Sequence, residues 1–495
     1  MKLTRPSLIA VALALGLIAG CGSNADRALP VSTTSDKALS LYRQGMFAID
    51  EGLRDSAHAL FSAAVELDST FALAWLRLAA VYRERRWEYL ERAKAQFGRI
   101  SAGEETAILA DEAAWRGDRR LHDSLIAVVA EGHPGDYRYC QYMGNTLSTL
   151  HRHDSARVWY QRAIDANPEF PRAYNDLGYS LFMLNDDSSA ATAFARYAAL
   201  APRSAAAQFA LGDFRLAIRD YPSAIRAFDS AVALDPDRAQ TRFGLIFAHM
   251  YRDDPVSAVG SLNAWRSESP ERAVDQLYGA ALLSLYNGQL DSALTALYLR
   301  TQSALNAGDQ LTAYHSLLEV AHLLALLGNV AGAEAALNDA WAAMTAAVPS
   351  ADERVKFVPD HLIAACEHEA LRGNSGLAEA RAFELVDYVD TLKNPVDRER
   401  YHDLLGMLGL TREKYETALT ELEMGSLDSP MNTYRRGLAY LGLGETGRAR
   451  EMFVRSARLV TYDLLYILTR YQSDRRVEAI TELHSAAETD SAQGR

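Results

Sequence analysis

The sequence predicts an all-α protein, built as a linear array of antiparallel helix pairs. Three observations carry this. Prolines stand at 134, 168, 202, 236 and 270, each 34 residues after the last, in a chain with only 14 prolines. Small residues keep the same step, as Gly144, Gly178 and Gly212 and as Ala156, Ala190, Ala224 and Ala258. Bulky residues keep it too, as Tyr160, Phe194, Phe228 and Leu262. A fixed period of this kind marks a repeat architecture. One unit cannot bury its apolar face alone, and stacking on neighbours makes the core continuous.

The stretch 205–238 shows the physics of one unit. Two helices fit, roughly 206–217 and 222–234. Leu211, Phe214 and Ala217 recur at helical spacing on the first, and Ala224, Ala227, Phe228, Ala231 and Leu234 on the second. Arg219-Asp220-Tyr221-Pro222 turns the chain between them. Gly212 and Ala224 are small enough for close backbone approach, and Phe228 fills the remaining space. Asp235 is positioned to cap the next helix, with Pro236 in its first turn. With small, aromatic and proline positions in phase at this period, the sequence resembles the tetratricopeptide repeat (TPR) family. The resemblance implies a right-handed superhelical solenoid of about 11–12 helix hairpins. It covers most of 38–463, strongly in about half of it.

Taken in order, residues 1–21 read as a lipoprotein signal peptide. Lys2 and Arg5 open it, an apolar stretch runs from Leu8 to Ala19, and Gly20-Cys21 closes it. That stretch is short for a membrane span. The ending Leu17-Ile18-Ala19-Gly20-Cys21 resembles the bacterial lipobox, which implies lipidation (palmitate among the acyl groups) of Cys21 as the mature N-terminus. Gly22 and Ser23 differ from the aspartate of inner-membrane retention signals, which implies the outer membrane. Residues 22–36 are small, polar and proline-containing, a flexible tether. An N-terminal array follows at 37–272. Its first unit fits 38–71, the next opens well at Trp75, Leu78 and Tyr82 but degenerates through 83–97, a weaker unit ends at Pro134, and four strong units occupy 137–272. The rhythm drifts over 273–395, where irregular TPR-like pairs are expected and 348–360 reads as a joint. Repeats return over 396–487 and end in a helix pair or capping helix, with a frayed, disordered tail at 488–495.

The formal charge is −13, or −15 without Lys2 and Arg5. With no long basic run, this argues against nucleic acid as a partner. Of the three cysteines, Cys21 is assigned to lipid, and Cys140 and Cys366 fall in the folded part. No HExxH, GxSxG or Walker-type loop occurs, so neither an enzyme nor a cofactor or metal is expected. His361, Cys366 and His368 lie close in sequence, but Cys366 is off the face shared by the two histidines.

The resemblance also implies a groove lined by the first helix of each pair. Projecting its exposed phase gives Arg138, Gln141 and Asn145, then Arg172, Asn175, Tyr179 and Phe182, then Phe209 and Asp213, and finally Phe243, Phe247 and Met250. Aromatics beside arginine and asparagine suit protein recognition. Phe243, Phe247 and Met250, on one helix face, are expected to anchor a partner's apolar groups. The positions of a carboxylate clamp are only partly matched: Asn145 fits, while Gln141, Asp176, Ala206 and Ala210 do not. The expected function is therefore a lipid-anchored scaffold or adaptor for protein or peptide partners at the periplasmic face of the outer membrane, in envelope or secretion-complex assembly. The alternative is a glycan-binding lipoprotein of the SusD type, against which the regularity of the repeats argues.

Overall fold

The computed structural model describes residues 28–50, 53–392 and 395–493. The expected lipid anchor at Cys21 and the expected signal at 1–21 lie outside them. Among the described residues every regular element is helical, and no helix is long and apolar enough to cross a membrane. The chain divides into two compact units, one up to Leu200 and one from Ala201 onward.

The first unit holds five hairpins among its described residues. They are α1 (Asp36–Asp50) with α2 (Arg54–Leu67), α3 (Ala72–Val81) with α4 (Arg86–Lys94), α5 (Ala102–Trp115) with α6 (Arg119–Gly132), α7 (Tyr137–Thr149) with α8 (His153–Ala166), and α9 (Pro171–Met183) with α10 (Asp187–Leu200). The second holds seven hairpins and a last helix. Its pairs are α11 (Ala205–Ala217) with α12 (Tyr221–Leu234), α13 (Ala239–Tyr251) with α14 (Pro255–Glu268), α15 (Ala273–Tyr286) with α16 (Leu290–Asn306) and α17 (Gln310–Leu326) with α18 (Val330–Ala347). Then come α19 (Val358–Leu371) with α20 (Ser375–Leu392), α21 (Pro395–Thr411) with α22 (Tyr415–Glu423), α23 (Pro430–Gly442) with α24 (Thr446–Arg458), and finally α25 (Leu464–Gln493).

One contact locks hairpin after hairpin. A glycine of the first helix faces a bulky side chain sixteen residues later in the second, as Gly45 faces Phe61 and Gly178 faces Phe194. A Cβ added at Gly212 would stand 2.7 Å from the Phe228 ring, and one at Gly437 2.5 Å from Phe453. Gly144 meets Tyr160, and Gly406 meets Leu422, in the same way. Phe61, Phe194, Phe228 and Phe453 are fully buried. The next helix can also close on the ring, since a Cβ at Gly244 would lie 2.6 Å from Phe228.

The turns explain the rest of the period. The residue just past the C-terminal cap of each regular first helix takes a left-handed conformation, at Gly117, His151, Asn185, Arg219 and Asp253. These too are spaced by 34, and later hairpins place Gly288, Gly328, Gly373, Glu413 and Gly444 there. At 134, 168, 202 and 236 the periodic prolines follow second helices rather than opening first ones, while Pro270 opens a 3-10 turn that runs into α15. His133, Asn167, Asp235 and Ser269 are the C-terminal caps, and a proline follows each because it cannot continue a helix. Asp235 thus closes α12, its N–H reaching Ala231 O at 3.0 Å, and α13 starts four residues on.

The drift after 272 also has a cause: α16, α17 and α18 reach 17, 17 and 18 residues, about one turn more than α11–α14. The degenerate unit is held by arginines stacked on aromatic rings. Arg92 lies 4.8 Å above Trp75, Arg86 4.8 Å above Trp115 and Arg116 5.0 Å above Trp87.

Two expectations at the ends change. Residues 28–35 are packed onto the array rather than tethering it. Leu29 is buried, Ser32 donates to both Glu104 carboxylate oxygens at 2.7 and 2.6 Å, and Thr33 and Thr34 donate to Asp68 at 2.6 and 2.9 Å. At the other end, α25 continues to Gln493 instead of fraying from 488.

Candidate binding faces on the first helices

In the first unit, first helices are tied to one another by charged and polar side chains. Arg77 of α3 pairs with Asp111 of α5 at 3.4 Å, close to the buried rings of Tyr42 and Tyr139. Gln141 of α7 is buried and donates to Asp176 of α9 at 2.6 Å. Burial pushes the Asp176 carboxyl up. Arg138 pairs with Asp50 at the end of α1, donates to the Tyr137 hydroxyl and covers the Tyr137 ring at 4.6 Å. Arg138 and Gln141 therefore make contacts within the unit and do not face outward as expected. Asn145 accepts from the Tyr160 hydroxyl at 2.9 Å, and Asn175 donates to Asp176 at 3.0 Å. Tyr179 is half-buried, its ring set edge-on to Phe194 at 5.0 Å, and Phe182 is half-buried. Arg172, in the first turn of α9, is exposed.

In the second unit the expected anchor is core. Phe247 is 0% exposed and Met250 1%. Phe243, at 8%, packs edge-on against Trp265 at 5.5 Å and Tyr278 at 5.7 Å. The whole stretch 241–248 is buried, so α13 is covered all round, as a helix apolar on every side must be. Neighbouring hairpins cover part of it.

The other cover is the C-terminal segment, which sequence reasoning missed. Tyr462 donates to Asp213 at 2.7 Å, and its ring lies 5.8 Å from Phe209 and 5.3 Å from Phe247. Arg470, 3% exposed, stands 3.7 Å over the Tyr251 ring and donates to the Tyr221 hydroxyl at 3.1 Å. Asp474 pairs with Arg219 at 2.6 Å. Leu464, Tyr466 and Ile467 join the same apolar cluster as Phe243 and Phe247. Phe209, Asp213 and Phe247 are thus brought together, around a side chain of the same chain. The available signal was the spacing of Tyr462, Tyr466, Arg470 and Asp474, four residues apart in sequence, the last three of them on α25.

A second polar cluster lies between α15 and α23. Tyr278 donates to Glu319 at 2.8 Å, and Arg300 approaches the other Glu319 oxygen at 3.2 Å. Burial pushes the Glu319 carboxyl up to about 7. For Glu367 burial acts the same way but is outweighed. His322 at 3.6 Å and Arg435 at 2.8 Å hold that carboxyl down to about 2. The sequence-adjacent His361, Cys366 and His368 serve packing. His361 lies 4.9 Å from the Trp341 ring, and the buried Cys366 thiol, pushed up to about 12 by burial, donates to Ala378 O at 3.2 Å.

A family model described as tetratricopeptide repeat matches residues 143–205, 188–239 and 209–273. Residues 143–273 are tetratricopeptide repeats. Together with the paired helices of both units, this makes the fold an all-α TPR solenoid, and α9, α11 and α13 are the first helices that lie wholly within the matched residues. No curated protein matches the sequence. Among solved structures the chain is similar to MamA residues 41-end from Desulfovibrio magneticus RS-1, at 19% identity, covering 34% of this chain and 96% of that one, TM-score 0.32. YrrB, described as a TPR protein with an unusual peptide-binding site, aligns at 18% identity over 37% of this chain and 95% of its own, TM-score 0.28. A TPR protein from Parabacteroides merdae ATCC 43184 aligns at 14% identity over 54% and 93%, TM-score 0.32.

Proposed function

We propose that the protein is a non-catalytic scaffold that holds polypeptide segments on its TPR first-helix faces, and that a lipid on Cys21 anchors it in the cell envelope. One observation carries the binding reading. The first-helix face of α11 and α13 already seats a stretch of polypeptide through aromatic contacts of Tyr462 and a tyrosine–aspartate hydrogen bond. A surface with that chemistry recognises side chains rather than merely filling a seam. The anchor rests on Leu17 to Cys21 and the charged start before them. The absence of aspartate after Cys21 favours the outer membrane, facing the periplasm, with envelope or secretion-complex assembly as the setting.

The test pairs two measurements on the full chain. Cys21→Ala is expected to abolish lipid labelling and release the protein from the membrane fraction, while envelope proteins still co-purify with it. Unchanged lipid labelling would overturn the anchor. Retention on polysaccharide with no protein co-purifying would overturn the scaffold and favour a glycan reader.

A further inference from the structure

A repeat array is complete when each hairpin stacks on the next. The contact of the C-terminal segment with α11 and α13 is of a different kind, because it joins residues 249 apart in sequence that stacking does not bring together. The distal part of α25 has its own seat, where Ile480 and Val477 pack with Tyr434, Tyr440 and Phe453 of the last hairpin. The stripe made by Tyr462, just ahead of α25, with Arg470 and Asp474 on the helix, is what faces α11–α13.

That stripe is built as a ligand is built. Arg470 is buried, yet the carboxylate of Asp474, on its own helix, stands 3.9 Å from Nε. Tyr221, Tyr251 and Tyr466 supply its close partners across and along the helix. A seam serving stability alone gains more from apolar side chains than from a buried guanidinium. A buried arginine over an aromatic face, flanked by a tyrosine set among phenylalanines, is hot-spot chemistry. The outermost link, Arg219–Asp474, is half-exposed and adds little holding power. This arrangement favours specific but reversible seating.

We infer that residues 460–474 are an intramolecular occupant of a partner site on α11 and α13. The partner that displaces them is a protein segment with an aromatic residue just ahead of a helix that carries an aromatic residue and an arginine four apart, as Tyr462 stands ahead of Tyr466 and Arg470. This deepens the scaffold reading and rests on it. In the resting chain Tyr462 fills the space between Phe209 and Phe247, and Arg470 covers Tyr251. A partner segment replaces both contacts, and residues 460–474 also give up their packing on α24, where Tyr466 donates to Ala457 O at 3.3 Å and Ser473 meets Ser456 at 3.2 Å.

The experiment uses the full chain and a fluorescein-labelled peptide of residues 459–478, read by fluorescence anisotropy. Tyr462→Ala with Arg470→Ala weakens the internal occupant and leaves the receiving face intact. The labelled peptide is expected to bind this variant at least about tenfold more tightly than the parent. Adding Tyr251→Ala on the receiving face is expected to return binding to the parent's level. Equal affinity for parent and variant, with helicity retained, overturns the proposal. If the variant loses helicity, hydrogen exchange on the parent decides. Amides of 462–474 exchanging well before those of 239–286 support displacement, and exchange of both in one step overturns it. Co-purification of envelope proteins with the parent chain reads the scaffold separately, so that reading stands or falls without the peptide.

Discussion

At the residue scale, the fold depends on places where a side chain is forbidden. Gly212 lies against Phe228 so closely that even a methyl group collides with the ring. Gly212→Ala is expected to lower stability by about 1–3 kcal/mol in urea denaturation, and an unchanged midpoint would contradict the packing account. The opposite holds where a side chain is present but unwelcome. Glu413 is exposed and left-handed, with φ at 57°, at the turn position where other hairpins use glycine. Glu413→Gly is expected to stabilise by up to about 1 kcal/mol, read as a rise in melting temperature; a fall would contradict it. The glycine–aromatic lock was legible in the sequence because both partners keep the period. The role of Phe243, Phe247 and Met250 was misread because a projection from one regular repeat assumes an open face. The unbroken burial-prone run Phe243-Gly244-Leu245-Ile246-Phe247-Ala248 pointed to a helix covered on all sides.

At the element scale, two carboxylates tie segments together, Asp68 holding residues 28–35, which repeat stacking does not hold, and Glu319 joining successive hairpins. Asp68 receives Thr33, Thr34 and Thr70, and although burial opposes it, these hydrogen bonds hold its carboxyl well below the usual range. Its contribution is present above the ordinary carboxylate range and is lost as pH falls. Asp68→Ala is expected to free residues 28–35, seen as faster hydrogen exchange there, at a cost of about 1–3 kcal/mol. Unchanged exchange would show that Leu29 and Glu104 hold the segment alone. Glu319, on α17 and facing Tyr278 of α15, has the reverse sign. With its carboxyl pushed up to about 7, its stabilisation is full below the ordinary glutamate value and is lost as pH rises through 7. Over about pH 5 to 8, Glu319→Gln is expected to flatten a decline in stability of at most about 2–3 kcal/mol, followed by denaturation at each pH; parallel curves for parent and variant would contradict it. Neither site was visible in the sequence, since each joins residues from separate hairpins whose local pattern is only that of an amphipathic helix.

At the scale of the whole molecule, the sequence displayed the period and hence the hairpins and their turns, because those features are local and repeat, while Pro236 was read as opening a helix that it instead follows. It did not display the C-terminal segment's seat, because Tyr462 meets Asp213 across 249 residues with no periodic partner. The central claim is that polypeptide is bound on first-helix faces and not on the array at large. The most direct measurement is site-specific photo-crosslinking in intact cells, with the photoreactive amino acid at Arg172 on α9 and, for comparison, at the exposed Val158 on the second helix α8. The account expects discrete protein adducts from position 172 and none from 158. Equal adducts from both positions, or adducts from 158 alone, would contradict it.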